Sequence, residues 1–368
     1  MKICRFINIS IIIVFLSVII PLHAQQTGAN PAEEVFGKNF KLSVHPTSGT
    51  LRYNFSEQTN ELESIEAIMD VRLISEKLSL ECDVLDFDAS ENKLIATGDI
   101  VRIKQQGISA TCGEFYYNPQ SGRSELLESP VIVNEDEAGR KTVTRGDKII
   151  IERQEDGRTL VQVSGKASLS SQEGSEVTPK PNETVPAAQQ MFGRNFEIVT
   201  GEDGELVYSF GAGNVLYSIV ARKGVIVSSE QLDLSCNRLE YYSTKNRLLA
   251  LGNPVKIFQD NLAAQCGRFE YYPEKGQSFL LEDPIILNED EQGRTMETRG
   301  EEIIITQKEK GKTSIIVKGD SQSPPEIEGG EAGEIVEPRQ TLPQAPIQIT
   351  EEDTSPIENI DLMEIMQE

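Results

Sequence analysis

Apolar side chains recur at every second position along most of this chain, the period of a half-buried strand and not of a helix. In "LSLECDVLDFD", which begins at Leu78, they fall at Leu78, Leu80 and Cys82, then at Leu85 and Phe87. The alternation therefore changes parity once in mid-run. One residue too many in an alternating strand implies a bulge or corner that turns the chain while keeping the same face inward. The run "LDLSCNRLEYY" makes the same switch, with Leu232, Leu234 and Cys236 followed by Leu239 and Tyr241. No window in these regions carries a convincing amphipathic helical period.

The two runs belong to a duplication with an offset of 154 residues. Copy one opens at "VFGKNF" (Val35 to Phe40) and copy two at "MFGRNF" (Met191 to Phe196). A shorter repeat lies inside each copy. "LECDVLDFD", "ATCGEFYYN" and "TRGDKIIIE" align on Cys82, Cys112 and Gly146, and the segments between them align on Gly98, Ser129 and Gly165. These spacings of 30 and 34 residues each hold two strands and two turns, and turn signals such as "DASENK", "NPQSG" and "QEDGR" separate them. The expected fold is all-β, each copy a roll of three or four stacked two-strand units with apolar faces inward.

Composition sets the limits of this picture. A chain of 368 residues can bury two cores of ordinary size, so the expected domains are 35–170 and 191–320, with an extended linker at 171–190. From Glu326 to Glu368 there are 12 acidic residues against one basic, Arg339, which predicts a disordered acidic tail over 321–368. Its last residues, "SPIENIDLMEIMQE", regain apolar spacing at Ile357, Ile360, Met363 and Met366, a short docking helix or simply scattered apolar residues. At the other end, Lys2 and Arg5 precede the 14-residue apolar run "INISIIIVFLSVII" and the small residue Ala24. That is the form of a secretory signal over 1–24, cleaved near Ala24, the alternative being an uncleaved inner-membrane anchor. Export predicts a periplasmic protein in a compartment that permits disulfides. The net charge of −24 and pI near 4.6 argue against nucleic acid as a partner.

Candidate chemistry is sparse. Only two histidines occur, His23 and His45, and copy two has none, so nothing in it could serve a Ser/His/Asp or Cys/His system. No phosphate-cradling or paired-histidine motif is present, and the expectation is a protein that is not an enzyme and holds no cofactor. "NEDEAGR" at Asn134 and "NEDEQGR" at Asn288 lack the alternating oxygen ligands of a calcium loop and read as hairpin turns, with Gly139 and Gly293 left-handed. The cysteines Cys82, Cys112, Cys236 and Cys266 sit at inward positions of equal spacing. They form either two disulfides, Cys82 with Cys112 and Cys236 with Cys266, each contributing about 3 kcal/mol on the chain-entropy model, or four small buried residues that never pair. The remaining inward candidates are Leu80, Leu85, Phe87, Ile100, Ile103, Phe115, Tyr117, Val131 and Val133 in copy one. Their counterparts are Leu234, Leu239, Tyr241, Val255, Ile257, Phe269, Tyr271, Ile285 and Leu287. They either fill a core or, near an open edge, line an apolar groove.

The ordered recurrence of "LxCDxLxFD", a turn, "ATGDIVRIKQ", "GISATCGEFYYNPQSG" and "LESPVIV", with "GNPVKI" at Gly252 and "EYYPEKG" at Glu270 in copy two, resembles the OstA-like or LptA-like domain of lipopolysaccharide transport. The resemblance covers Val35 to about Leu169 and Met191 to about Gly319. It departs from that pattern in its cysteines, which stand where small residues are usual, in the duplication and in the acidic tail. It implies two tandem open β-jelly rolls whose apolar groove takes acyl chains. The implied partners are lipopolysaccharide or a similar glycolipid, and other envelope transport proteins, or further copies of this chain, joined by edge-strand pairing. The competing expectation is an envelope scaffold whose rolls bind proteins and no lipid. A third is a membrane-anchored relative that keeps its leader and hands lipid to the bridge.

Overall fold

The structure, a computed structural model, describes residues 35–319 apart from 38, 59, 106, 137–138, 173–186, 231, 260–261, 290–294 and 309–311. The leader, the middle of the expected linker and the acidic tail lie outside the described residues.

The fold is all-β. Copy one contributes β1 (Phe40–Ser43), β2 (Thr50–Phe55), β3 (Leu62–Ser75), β4 (Ser79–Asp88), β5 (Lys93–Gln105), β6 (Ile108–Asn118), β7 (Arg123–Leu127), β8 (Val131–Glu135), β9 (Lys141–Arg145), β10 (Lys148–Arg153), β11 (Thr159–Ser164) and β12 (Ser168–Gln172). After the short helix α1 (Ala187–Phe192), copy two repeats the order with β13 (Phe196–Val199), β14 (Glu205–Phe210), β15 (Leu216–Ser229), β16 (Asp233–Tyr242), β17 (Arg247–Gln259), β18 (Leu262–Tyr272), β19 (Gln277–Leu281), β20 (Ile285–Glu289), β21 (Thr295–Arg299), β22 (Glu302–Lys308) and β23 (Lys312–Lys318).

The expected parity switches are corners. The β3–β4 register breaks between Ile68 and Val71, the β4–β5 register between Glu81 and Val84, and the β5–β6 register between Thr97 and Val101. Met69 and Asp70 take left-handed backbone at the first of these, with φ of +73° and +48°. Each long strand is thereby divided between two leaves. One leaf runs from β2 through the first part of β3 to β7, β10 and β11. The other runs from β1 through the second part of β3 to β8, β9 and β12. The shorter repeat seen in the sequence marks these corners: Cys82 and Gly98 lie within the register breaks of β4 and β5, and Gly146 lies between β9 and β10.

At the copy boundary the two leaves continue without a break. In the first leaf β11 pairs with β14 from Thr159↔Phe210 to Ser164↔Glu205, and in the second β12 pairs with β13 from Ser168↔Val199 to Ser171↔Phe196. The copies are thus joined by backbone ladders in both leaves. Ten register pairs fix their relative placement far more tightly than a linker of Pro, Ser, Thr and Glu.

The leaves face each other across a shared interior. Leu80, Leu85, Phe87, Leu94 and Ala96 in copy one, and Leu234, Leu239, Tyr241, Leu248 and Ala250 in copy two, form one buried cluster with the junction residues Val161, Val163, Leu169, Ile198, Leu206 and Tyr208. Burying a side chain of this size contributes roughly 1.5–3 kcal/mol, so the interior is the main source of stability. Two polar groups meet inside it at the junction: Thr144 of β9 and Tyr208 of β14, on opposite leaves and in different copies, lie 2.5 Å apart, hydroxyl to hydroxyl.

Candidate functional site

The interior between the leaves collects most of the residues that the sequence marked. Leu80, Leu85, Phe87, Ile103, Phe115, Leu234, Leu239, Tyr241, Val255, Ile257 and Phe269 are all buried in it. Tyr117 and Tyr271 are half-buried and packed against it, Tyr117 stacking on Phe115 with ring centroids 6.4 Å apart.

Three groups of expectations are corrected. Ile100 is 51% exposed, because the corner absorbs Gly98, Asp99 and Ile100 and alternation resumes at Val101, which is buried. Val131 and Val133 flank the inward apolar residue instead of being it: in β8 the buried apolar side chain is Ile132, and in β20 it is Ile286, between Ile285 and Leu287. A strand of consecutive apolar residues has two apolar faces, and here only ladder register selects the inner one.

Of the five cysteines, Cys82, Cys112, Cys236 and Cys266 are buried but free, and Cys4 lies outside the described residues. Cys112 of β6 pairs with Val101 of β5, and Cys82 lies on β4, on the far side of β5. Two strand spacings of about 4.8 Å each exceed the roughly 7 Å Cα separation that a disulfide tolerates. In copy two Val255 separates Cys236 from Cys266 in the same way. Burial pushes each thiol from its ordinary value near 9 to about 12, so these cysteines behave as small apolar residues at the corners.

As expected of a hairpin, β8 and β9 on either side of "NEDEAGR" pair antiparallel up to Glu135↔Lys141. Gly139 has φ of +75°, and its N–H donates to the Asp136 carbonyl at 2.9 Å. The Asp136 carboxylate accepts from Arg140 Nε at 2.7 Å. Among the described residues no group of His, Cys, Asp or Glu is arranged to hold a metal. Gly293 lies outside the described residues.

Sequence reasoning missed the segments that plug the interior. Val35 and Phe36 form a short helical turn and are fully buried. Phe36 packs on Phe40 and Phe87 with centroids 4.8 and 4.9 Å away. In copy two Met191 and Phe192 of α1 occupy the equivalent place, Phe192 against Phe196 at 5.0 Å and Tyr241 at 5.6 Å. The signal was present in the repeated "VFGKNF" and "MFGRNF", whose first apolar pair precedes the first strand of each copy and has no strand to belong to.

Beside α1 a cavity of about 540 Å³ opens at the mouth between the leaves. Met191, Leu232, Phe269 and Tyr271 supply its apolar lining, and Gln190, Glu230, Gln259 and Gln307 its polar rim. Two buried polar atoms inside the roll have no partner among the described residues, Asn134 Oδ1 and the Tyr241 hydroxyl. Burial holds the Tyr241 hydroxyl well above the ordinary tyrosine range.

In comparisons with known proteins, no family model and no curated protein matches the chain. Among solved structures it is similar to the crystal structure of LptH, the LptA-homologous periplasmic component of the conserved lipopolysaccharide transport device from Pseudomonas aeruginosa. That match has 16% identity and a TM-score of 0.21, and covers 27% of this chain and 84% of that one.

Proposed function

We propose that this chain carries lipopolysaccharide or a related glycolipid through the periplasm, with acyl chains held between the two leaves, and contributes in this way to outer-membrane assembly. The observation that supports this most is the single apolar interior shared by both copies across a junction of paired strands. Hydrocarbon needs no directional chemistry to bind such a surface, and the sequence resemblance to lipopolysaccharide transport domains points the same way. Each copy in this reading is an open jelly roll. The function needs no catalysis, and energy for lipid movement comes from other proteins.

The junction suggests how partners attach. β14 carries Tyr208 and Phe210, buried under β11, whereas the corresponding β2 leaves Tyr53 and Phe55 exposed at 39% and 54%. β2 is paired only with β3 among the described strands. Strand addition at this edge, by another envelope transport protein or a further copy of this chain, would cover it as β11 covers β14.

One observation favours the scaffold reading instead: the interior is closed, with Leu80, Leu85, Leu94 and Ala96 wholly inaccessible. The test is uptake of lipid A by the purified full chain. Saturable binding that is lost when Phe269 is changed to Asp supports the carrier. A stable chain that takes up no lipid leaves the scaffold.

A further inference from the structure

We propose that α1 is a displaceable plug. The acyl chain of an amphiphile with an uncharged, hydrogen-bonding head enters from the adjoining cavity and takes the space of Met191 and Phe192. This inference rests on the carrier reading and specifies where the lipid goes; within that reading it favours a related glycolipid whose sugar at the mouth carries no phosphate over phosphorylated lipid A.

Four observations carry it. First, α1 is buried and can leave without breaking a ladder: β12 and β13 pair directly with each other and with their neighbours, and α1 joins no strand. Second, a helix of six residues has little stability of its own, and no acidic residue in its first turn or basic residue in its last supports it. It is held by the burial of Ala188, Met191 and Phe192, an apolar contact for which a hydrocarbon chain is a fair exchange. Third, Met191 is shared between the plug and the cavity wall, so displacing it merges the cavity with the interior. Fourth, the Tyr241 ring packs on Phe192, with centroids 5.6 Å apart, and its hydroxyl is buried with no partner among the described residues. An unsatisfied buried hydroxyl is costly, and a polar atom near the head of the incoming ligand would satisfy it. Phe87, the counterpart in copy one, has no such group.

The rim decides the head. Gln259 and Gln307 carry amides that can both donate and accept, and Glu230, which accepts from Asn195 at 2.7 Å, is an acid. No described lining residue is basic. Phosphates and carboxylates are recognised by Arg, Lys or clustered N–H donors, and a carboxylate on the rim repels them. A sugar hydroxyl suits this mouth.

The experiment uses the full chain, with dodecyl maltoside below its micellar concentration and dodecyl phosphate as probes, read by titration and by amide hydrogen exchange. The expected result is that dodecyl maltoside binds at least about tenfold more tightly than dodecyl phosphate and raises exchange across residues 187–196. Phe192→Ala should bind it about tenfold more tightly still, since less plug must be displaced, with Phe192→Leu as the gentler variant should the alanine fail to fold. Tyr241→Phe should weaken binding while leaving the unliganded fold as stable or more so, which a merely structural tyrosine would not do. Dodecyl maltoside that binds with α1 still protected, and equally to Phe192→Ala, overturns the plug and leaves the carrier reading intact. Equal binding of the phosphate overturns the head preference. Failure of every variant to bind either probe or lipid A overturns both the plug and the carrier reading.

Discussion

The hydroxyl pair at the junction gives a sharp test of how the copies are joined. Thr144 and Tyr208 belong to opposite leaves and different copies, both are buried, and their hydroxyls lie 2.5 Å apart. Replacing Thr144 with Val keeps the shape but leaves the Tyr208 hydroxyl without that partner in an apolar interior, which costs about 1–3 kcal/mol. Tyr208→Phe removes the bond from the other side and costs about 0.5–1.5 kcal/mol. The double variant has no hydroxyl left to satisfy, so most of the first loss returns and the coupling energy is on the order of 1–2 kcal/mol. The chain has no tryptophan, so urea unfolding is followed by far-ultraviolet circular dichroism. A coupling below about 0.3 kcal/mol would refute the cross-leaf bond, and with it this account of the junction interior.

Other consequences are as direct. With the thiols raised to about 12, both folded and unfolded chains keep these protons below pH 9. Above it only the unfolded chain releases them, so stability falls as pH climbs from about 9 toward 12. Urea midpoints between pH 7 and about 9.7 should show the start of this decline, and replacing Cys82, Cys112, Cys236 and Cys266 with Ala should flatten it there, leaving the later fall above about pH 10 that the buried Tyr208 and Tyr241 contribute. Thiol labelling of the denatured, unreduced protein, read by peptide mapping, should find Cys82, Cys112, Cys236 and Cys266 all as free thiols. Ile100→Asp should change stability by no more than about 0.5 kcal/mol, whereas Val101→Asp, one residue on, should unfold copy one, as judged by loss of its β-sheet signal. A Cβ on Gly98 would meet the Asp83 carboxylate at 2.8 Å and its backbone N at 3.0 Å, so Gly98→Ala should cost about 1–3 kcal/mol, and a midpoint equal to the parent would show that the corner can relax.

The strands and their corners were legible because each run buries one face. A change of parity at "LECDVLDFD" then has no meaning except a turn of the sheet. What followed each corner was not legible. In "DIVRI" and "PVIVN" adjacent apolar residues leave both parities open, and the choice of Val101 over Ile100 and of Ile132 over Val131 was made by pairing with Cys112 and Thr144. The disulfides failed for a reason that the sequence did contain: 30 residues hold two strands and two turns, so equivalent positions land two strands apart. The plugs escaped because a short apolar pair before a strand has no period to detect. The direct pairing of the copies was hidden for a different reason, since edge strands carry no mark of which edge they meet.

The central claim is that the shared interior takes up lipid. The most direct measurement is to produce the full chain in an envelope that makes lipopolysaccharide, purify it gently, and extract and weigh the lipid that accompanies it. The account predicts glycolipid in stoichiometric amount, lost when Phe87 or Tyr241 is changed to Asp. A stable, lipid-free protein that also refuses added lipid A would contradict it.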